Sequence, residues 1–475
     1  MNRLEAHSAQ VRKDLEVLGI GQPTWVRPRD GIYDVVIVGG GQSGLGAAFG
    51  LIRERISNIL VIDENPKGME GPWVTYARMI TLRTPKDLLS IDQGIPSLTF
   101  RAWWTAQYGE ESWQAIGKIP RGDWMDYLRW YRDVLDLPVE NGVNLARIVP
   151  TGTGHHVLHV NGTSGARQIL ARKVILATGI QGGGEWHTPA FIADHLPKCR
   201  YAHTSEFIDF DSLKGKRIGI LGGGASAFDN AQYALSCGVA TVDVFMRRAE
   251  IPRVNPIRFM EKSGVVPRYA ALSDAEKYKV MSAFLRRNQP PTNDTFQRAA
   301  SFKGFALNLG TPWTGVRETD AGIEVSTPKG AFVFDFLILS TGLLTDVCLR
   351  PELTALEPRI ARWIDRFAAP DEDQNDLLDL HPYLGEGFEF TPRVPEDAPF
   401  VHGVFAFNYS ALLSLGLSAS ALTGLPYALP KLVRGVADQL FLDDKLRWMT
   451  DYCSYSEAEF NSEWTPLSGT KVEAS

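Results

Sequence analysis

Two glycine-rich stretches of the 475-residue chain have the spacing that binds nucleotide phosphates. Residues 39–44 read GGGQSG, a GxGxxG pattern. Its first glycine permits a tight turn, its second lets a pyrophosphate approach the backbone, and its third lets a helix pack closely on a strand. Residues 222–227 read GGGASA, so the sequence predicts two nucleotide sites. The loop residues predicted to contact them are Gly39, Gly41, Ser43, Gly44, Gly222, Gly224, Ala225, Ser226 and Ala227.

The residues that follow each loop distinguish the two nucleotides. Asp63 lies 24 positions after the first glycine of its loop, near the spacing at which an acid binds the ribose hydroxyls, and Glu64 follows it. Met246 holds the equivalent position after the second loop, beside Arg247 and Arg248. An acid there would repel a 2′-phosphate, whereas an arginine can bind one through two hydrogen bonds. We therefore predict FAD at the first site and NADPH at the second; the alternative is that these arginines are only a solvated strand end.

Both glycine loops are flanked by the elements of βαβ units, which must position them. Apolar runs at 34–38 and 59–62 predict parallel strands on either side of a helix over 45–55. Around the second loop, runs at 216–221 and 241–246 predict two further strands with a helix between them. This pattern predicts an α/β fold with two Rossmann-like dinucleotide-binding domains.

The four cysteines form neither a redox pair nor a metal site. Cys199, Cys237, Cys348 and Cys453 are scattered, without the CxxC or other spacing that would favour either. A disulfide reductase needs a cysteine pair close to its flavin, so that class of enzyme is disfavoured, and no metal is predicted. Free thiols are typical of a reducing compartment, and we expect a cytoplasmic protein.

Composition and charge argue against other classes of protein. The net charge of −6 and the pI of 5.9 do not favour a nucleic-acid surface. Residues 1–18 carry charges throughout, so no secretory signal is predicted. Residues 401–430 lack charged side chains, but Asn408, several hydroxyls and two prolines favour a buried internal segment over a membrane span.

Further motifs occur in the order found in a known family. Besides the two loops, they are Gly71-Pro-Trp73, Thr84–Asp87, Ile119–Leu128, Ala177–Gly179, His203–Phe207 and Ser340–Gly342. Over nearly the whole chain this order resembles the flavin-containing monooxygenase superfamily, the class B flavoprotein monooxygenases, which include amine N-hydroxylating and Baeyer-Villiger enzymes. The resemblance implies cofactor contacts for Trp73, Thr341 and Gly342. It also implies an FAD-dependent, NADPH- and O2-using monooxygenase that oxygenates a small organic substrate through a C4a-(hydro)peroxyflavin.

The resemblance points to three residues as candidates for catalysis. Arg83 stands where relatives carry an asparagine near the flavin, and a cation there could stabilise an oxygen anion or hold an acidic substrate. His203 begins the HxxxF part of the family fingerprint and is either catalytic or a structural histidine between domains. Asn408 stands where many relatives place an aspartate against the flavin's ribityl chain, and an amide can still hydrogen-bond there.

The sequence leaves several activities open. The upstream FxG half of the Baeyer-Villiger fingerprint is replaced by Pro197 and Cys199, so amine N-hydroxylation is slightly favoured over ketone oxygenation. The alternatives are an NADPH:acceptor oxidoreductase or oxidase that inserts no oxygen, and a regulatory nucleotide-binding module without turnover. The expected partners are a small-molecule substrate and O2, with no nucleic acid and no membrane, and a homo-oligomer is compatible with the sequence.

The motif order also predicts the division into domains. The insertion is expected to contain an amphipathic helix over 274–287 and a loop-rich part over 288–310, which is either a lid over the active site or a surface elaboration. The predicted divisions are an N-terminal extension at 1–31, an FAD domain at 32–153 and 334–442, an NADPH domain at 154–333 with a helical insertion at about 255–310, and a C-terminal tail at 443–475.

Overall fold

A computed structural model describes residues 3–88, 91–287, 289–419 and 421–464. The first glycine loop belongs to a seven-stranded mixed sheet. The strands at 139–141, 59–63, 32–38 and 165–176 pair in parallel in that order. The strand at 156–162 pairs antiparallel with 165–176, and 144–150 pairs antiparallel with 156–162. In spatial order the strands are Val139–Asn141, Ile59–Asp63, Ile32–Val38, Gly165–Leu176, His156–Gly162 and Asn144–Pro150, and Val404–Phe405 pairs with Gly165–Leu176.

The second glycine loop belongs to a separate sheet of five parallel strands. A three-stranded antiparallel sheet and a two-stranded ribbon complete the β-structure among the described residues. The parallel sheet runs Phe305–Asn308, Thr241–Phe245, Arg217–Leu221, Phe336–Leu339 and Tyr201–His203; the small sheet contains Gly315–Thr319, Gly322–Thr327 and Gly330–Phe334, and the ribbon pairs Gly184–Trp186 with Leu343–Thr345.

Helices surround both sheets; those after the two glycine loops bury most of their residues, whereas the helix at 445–454 buries none. The α-helices are Arg3–Val17, Gln42–Arg53, Phe100–Tyr108, Glu110–Ala115, Arg121–Val134, Ala190–Ala193, Ala225–Ser236, Pro256–Lys262, Val265–Arg268, Asp274–Arg287, Asn293–Ala300, Asp376–Asp379, Ala398–Val401, Leu412–Leu415, Leu425–Asp443 and Lys445–Ser454. The helix after the first loop packs tightly on Leu425–Asp443. A Cβ at Gly46 would lie 2.8 Å from Leu429, and one at Gly50 would lie 2.6 Å from Val433, so both close approaches depend on glycine.

Strand pairing corrects the predicted domain boundaries. The strands at 156–162 and 165–176, placed by the sequence in the NADPH domain, belong to the first sheet. Conversely, the strand at 336–339, placed in the FAD domain, lies between two strands of the second sheet. The boundaries at 153 and 334 were therefore wrong, because an apolar pattern predicts a strand without identifying its long-range partner.

Two finer predictions are also corrected. The helix over 274–287 is confirmed, but the following part is not loop-rich, since it contains a helix at 293–300 and the strand at 305–308. That strand pairs with Thr241–Phe245, so the helical insertion ends near 300 rather than 310. The predicted C-terminal tail begins with a helix at 445–454, and its residues beyond 464 lie outside the described part.

Candidate functional site

A cavity of about 1840 Å³ lies between the two sheets and is lined by both nucleotide-binding units and by the insertion. A typical small-molecule pocket occupies about 300–1,000 Å³, so this cavity has room for more than one ligand. Its wall includes Gly41 and Asp63 from the first unit, Ser226 and Asp229 from the second, and Arg258 from the insertion. The first predicted site and Ser226 of the second therefore open into one space, whereas Gly222, Gly224, Arg247 and Arg248 do not line it.

The first loop has the geometry that a dinucleotide needs. Gly39 has a φ of +108°, and a Cβ on it would lie 2.4 Å from the carbonyl oxygen of Ala177. A Cβ on Gly44 would lie 1.8 Å from the carbonyl oxygen of Gly39, so only glycine fits there. Gly41 is the N-cap of the helix at 42–53 and provides no side-chain cap. The first amide groups of that helix are available to a phosphate, as at other helix N-termini.

Asp63 supports the first loop as well as lining the cavity. One carboxylate oxygen accepts a 2.7 Å hydrogen bond from the backbone N–H of Gly40, and the other accepts from the N–H of Asn65 at 2.8 Å. The neighbouring Glu64 is exposed and accepts from the side chain of Asn144 at 2.8 Å. Asp63 thus fixes the loop conformation, and a ribose contact from either acid stays a prediction.

The second loop repeats the first in the same register. The N–H of Gly222 donates to the carbonyl of Phe245 at 2.9 Å, as Gly39 does to Ile62 at 2.8 Å. Met246 therefore stands where Asp63 stands in the first unit. It is buried, and a Cβ on Gly223 would lie 2.3 Å from its side chain, so an apolar contact replaces the carboxylate at this place.

The two arginines beside Met246 have different surroundings. Arg248 donates to the backbone carbonyls of Arg286 at 2.7 Å and Arg287 at 3.3 Å, the last residues of the insertion helix at 274–287. A cation is well placed there because a helix C-terminus carries partial negative charge. Arg247 is exposed and forms no hydrogen bond or ion pair with the part of the chain that the structure describes. Of the two, Arg247 is the more available to a ligand.

Arg83 joins three parts of the molecule at the cavity wall. It forms an ion pair with Asp229, on the helix at 225–236 of the second unit. Its backbone carbonyl accepts a 2.7 Å hydrogen bond from Arg258 of the insertion, which in turn pairs with Glu261 at 2.6 Å. Arg83 lines the cavity as the sequence predicted for a catalytic candidate, but its charge is already matched by a carboxylate. Its catalytic role stays a prediction.

Arg78 is a site residue that the motifs did not identify. It is buried at the cavity wall and donates to the carbonyls of Tyr76 at 2.8 Å, Thr204 at 2.7 Å and Glu206 at 2.8 Å. Burial lowers the pKa of its guanidinium to about 10. The bonds to Thr204 and Glu206 join the segment after the strand at 201–203 to the segment that carries Trp73. Only its position among the cations near Trp73 could have indicated this role.

His203 lies behind the cavity rather than in its wall. Its ring stacks on Trp186 with 4.8 Å between centroids, and its Nδ1 accepts from the backbone N–H of Ser205 at 3.2 Å. Burial lowers the pKa of His203 to about 4, so the ring is neutral at physiological pH. Thr204 and Ser205, which follow it, do line the cavity. This geometry suits a residue that positions the segment, and a catalytic role for His203 stays an untested prediction.

Asn408 does not line the cavity either, but it contacts a residue that does. Its side-chain N–H donates to Oγ1 of Thr178 at 3.1 Å, and its oxygen accepts from the N–H of Ser410 at 2.9 Å. Thr178 itself lines the cavity. Asn408 therefore positions the strand end at 177–179, and direct contact with flavin is a prediction that this arrangement leaves untested.

Of the remaining predicted cofactor residues, Trp73 lines the cavity, whereas Thr341 and Gly342 do not. Trp73 meets Trp124 edge to face, with 6.4 Å between ring centroids. Thr341 donates to the carbonyl of His187, and the carbonyl of Gly342 accepts from the N–H of His187 at 2.9 Å. Through these bonds, Thr341 and Gly342 link the two strands of the ribbon at one end.

The described residues contain no group of three or more His, Cys, Asp or Glu side chains placed to hold a metal ion. In the same part of the chain, no helix is both long and apolar enough to cross a membrane.

Two known protein families match overlapping parts of the chain. Residues 36–181 match an "FAD-NAD(P)-binding" family, and residues 113–288 match the family "L-lysine 6-monooxygenase/L-ornithine 5-monooxygenase". Over 459 residues, the chain is 61% identical to a protein described as FAD-dependent urate hydroxylase from Xanthomonas campestris pv. campestris. That alignment covers 96% of each chain.

Solved structures show the same fold at lower identity. The ornithine hydroxylase of Pseudomonas aeruginosa is 17% identical, with a TM-score of 0.67 over 86% of this chain and 100% of its own. The L-lysine 6-monooxygenase of Pseudomonas syringae is 17% identical, with a TM-score of 0.64 over 86% of this chain and 99% of its own. The predicted two-domain α/β fold is confirmed.

Proposed function

Because the chain belongs to the flavin-containing monooxygenase superfamily and is an FAD-dependent monooxygenase, we propose that it uses NADPH and O2 to hydroxylate a small, nitrogen-rich heterocycle, with urate the first candidate. The observation that carries this proposal is the 61% identity to an FAD-dependent urate hydroxylase across 96% of both chains. The cavity lined by both nucleotide-binding units supports it, because a reduced flavin, a coenzyme and a substrate must meet in one space.

The residues of the first unit fit FAD. Gly41 lines the cavity, and a Cβ on it would lie 3.8 Å from the Cα of Gly71, so without a side chain its backbone is accessible to a pyrophosphate. The N-terminus of the helix at 42–53 supplies amide donors, and Asp63 is within the cavity wall for the ribose. Bound there, FAD supplies the oxygen-activating chemistry. The chain supplies orientation through these contacts, and the insertion contributes part of the cavity wall.

The second unit supports NADPH as the reductant. A Cβ on Gly224 would find no atom within 4 Å, which leaves this loop open to the coenzyme's phosphates. Met246 removes the acid that would repel a 2′-phosphate, and Arg247 is free to pair with it. The same interpretation assigns Ser226, at the start of the helix and in the cavity wall, to the coenzyme's pyrophosphate.

Three carboxylates at the cavity wall are already neutralised by cations, which favours a neutral or anionic substrate beside them. Asp229, Glu261 and Asp294, carboxylates of the second unit and insertion, are already paired with Arg83, Arg258 and Lys118. An ammonium group at one of these three carboxylates would have to displace its cation, whereas Glu64 and Glu250, which also line the cavity, have no ion pair within the described residues. Urate, as a planar acid rich in hydrogen-bonding groups, needs no free carboxylate and suits a wall of matched charges and backbone donors.

Amine N-hydroxylation is the second candidate. It is favoured by the match of residues 113–288 to the lysine and ornithine monooxygenase family, and it is the activity that the motif order slightly favours. The three carboxylates described above are paired, so an amine would have to bind elsewhere, for example at Glu250, which lines the cavity and has no ion pair within the described residues. Ketone oxygenation and reduction of an external acceptor have no specific structural observation in their favour.

A substrate screen tests the proposal directly. The FAD-loaded protein is mixed with NADPH in air, and coenzyme oxidation, hydrogen peroxide and product mass are followed with urate, ornithine, lysine and a cyclic ketone in parallel. We expect urate to accelerate NADPH oxidation and to yield a product heavier by one oxygen atom, with little peroxide. Acceleration by ornithine or lysine alone would establish the second candidate, and peroxide as the sole product with every compound would refute monooxygenation.

A further inference from the structure

The helix at 445–454 presents an apolar face to solvent. No residue of this ten-residue helix is buried. Four large side chains on it are about half to three-quarters exposed: Leu446, Trp448, Met449 and Tyr452. Their spacing of three and four residues places them on adjoining faces of the helix. Isolated helices of this length are marginally stable in water, so a surface that covers this face would stabilise the helix.

The helix is held in place at one edge only. Trp448 packs against Phe441 at 5.4 Å between ring centroids, and Phe441 in turn meets Trp25 at 6.4 Å. Asp451 forms an ion pair with Arg27. These contacts fix the helix on the body of the molecule, so its apolar face is presented in a defined orientation.

The segment that follows the helix is exposed along its whole described length. Residues 455–464 read YSEAEFNSEW and have no regular secondary structure. Its aromatic residues Tyr455, Phe460 and Trp464 are 60%, 80% and 80% exposed. We call this segment the C-terminal arm. Together, the arm and the helix expose on the order of 900 Å² of large apolar side chains, taking roughly 200 Å² for each fully exposed one.

We propose that this surface binds a second copy of the same chain, with the arm of each copy lying on the 445–454 helix of the other. The exposed apolar area is close to the roughly 800 Å² that each partner buries in a stable interface, and it exceeds the roughly 300–600 Å² of the largest patch on a typical monomer. Reciprocal exchange of this kind closes a two-fold dimer.

Charge complementarity identifies the occupant. The arm carries Glu457, Glu459 and Glu463 and has no basic residue. The helix carries Lys445 and Arg447, and neither forms an ion pair within the described chain. The same chain therefore carries an acidic, aromatic arm and a basic, aromatic helix face. Neither has a partner of opposite charge within the described residues. A second copy supplies both complements at once.

Mass measurement of the FAD-loaded full-length protein gives the first test. Light scattering after gel filtration at micromolar concentration should report twice the chain mass of 52.6 kDa. The double substitution Phe460→Ser and Trp464→Ser should raise the dimer dissociation constant by about tenfold or more, because it removes two large exposed aromatic anchors. A monomer at all accessible concentrations, including one that binds lipid vesicles instead, would overturn the proposal.

A charge exchange tests the geometry. In one variant the three arm glutamates become lysine; in the other, Lys445 and Arg447 become glutamate. Each variant alone should be monomeric, since like charges then face each other, whereas an equimolar mixture should restore the dimer mass because both contacts regain opposite charges. The matched control is Asp320→Lys, an exposed charge reversal in a hairpin turn of the second domain, which should stay dimeric. Dimers in both separate variants, or no dimer in the mixture, would exclude arm exchange.

Discussion

Substitution of the two arginines after the second loop separates coenzyme recognition from support of the insertion. In Arg247→Ala, the protein loses an exposed guanidinium that we propose pairs with the 2′-phosphate. A charged hydrogen-bonded contact contributes about 1.5–3 kcal/mol, so the KM for NADPH should rise about tenfold to a hundredfold while the KM for NADH changes little. Arg247→Lys should have an intermediate effect, because it keeps the charge but loses two-pronged binding.

The matched variant Arg248→Ala should behave differently. Its guanidinium is engaged by two carbonyls at the C-terminus of the insertion helix, at 2.7 and 3.3 Å. This is a partly exposed contact, so its loss should lower the free energy of unfolding by only about 1 kcal/mol and raise the KM for NADPH much less than Arg247→Ala does.

Anaerobic flavin reduction by NADPH and NADH, with thermal unfolding of each variant, measures both effects. Inhibition by 2′,5′-ADP provides a readout that does not depend on turnover, and Arg247→Ala should weaken it in parallel with NADPH. An NADPH to NADH preference that changes less than about twofold in Arg247→Ala, or an equal loss in Arg248→Ala, would refute this assignment.

Three further predictions follow from the same geometry. Gly41→Val should abolish FAD retention, because its side chain would fill the gap over which the pyrophosphate passes; a fully yellow variant would contradict the first site. Asp229→Asn should raise KM or lower product yield by releasing Arg83, whereas a change confined to thermal stability would make that ion pair structural. His203 and His381 have their pKa lowered to about 4 by burial, so the unfolded state binds more protons between pH 6.5 and 4. Stability from these residues is complete above pH 6.5 and should fall with pH by up to about 3 kcal/mol each, as urea unfolding would measure; equal stability at pH 7 and 4.5 would exclude this linkage.

The nucleotide-binding units could be predicted from the sequence because their determinants are local. Gly39 is required by its positive φ and Gly44 by its contact with the Gly39 carbonyl, both within one strand-turn-helix unit. The equivalence of Asp63 and Met246 follows from counting residues along the chain. In the structure both units line one cavity, as two such units in a flavoprotein require.

The remaining features depend on contacts between distant segments. No local pattern indicates that the strand at 336–339 joins the second sheet, or that Arg83 pairs with a residue 146 positions away. The sequence predicts that Arg248 binds the coenzyme. In the folded chain, however, its guanidinium donates to a backbone carbonyl at the end of the insertion helix. His203 and Asn408 were predicted from motif position; their side chains hold cavity-lining neighbours, and their catalytic roles stay predictions.

Incorporation of labelled oxygen tests the central claim most directly. The FAD-loaded protein is supplied with NADPH, urate and ¹⁸O2, and the product is analysed by mass spectrometry at early times, with ornithine in a parallel reaction. We predict that one ¹⁸O atom enters the urate-derived product for each NADPH oxidised. Oxidation of NADPH with all of the label recovered as hydrogen peroxide or water, and none in an organic product, would contradict a monooxygenase acting at this cavity.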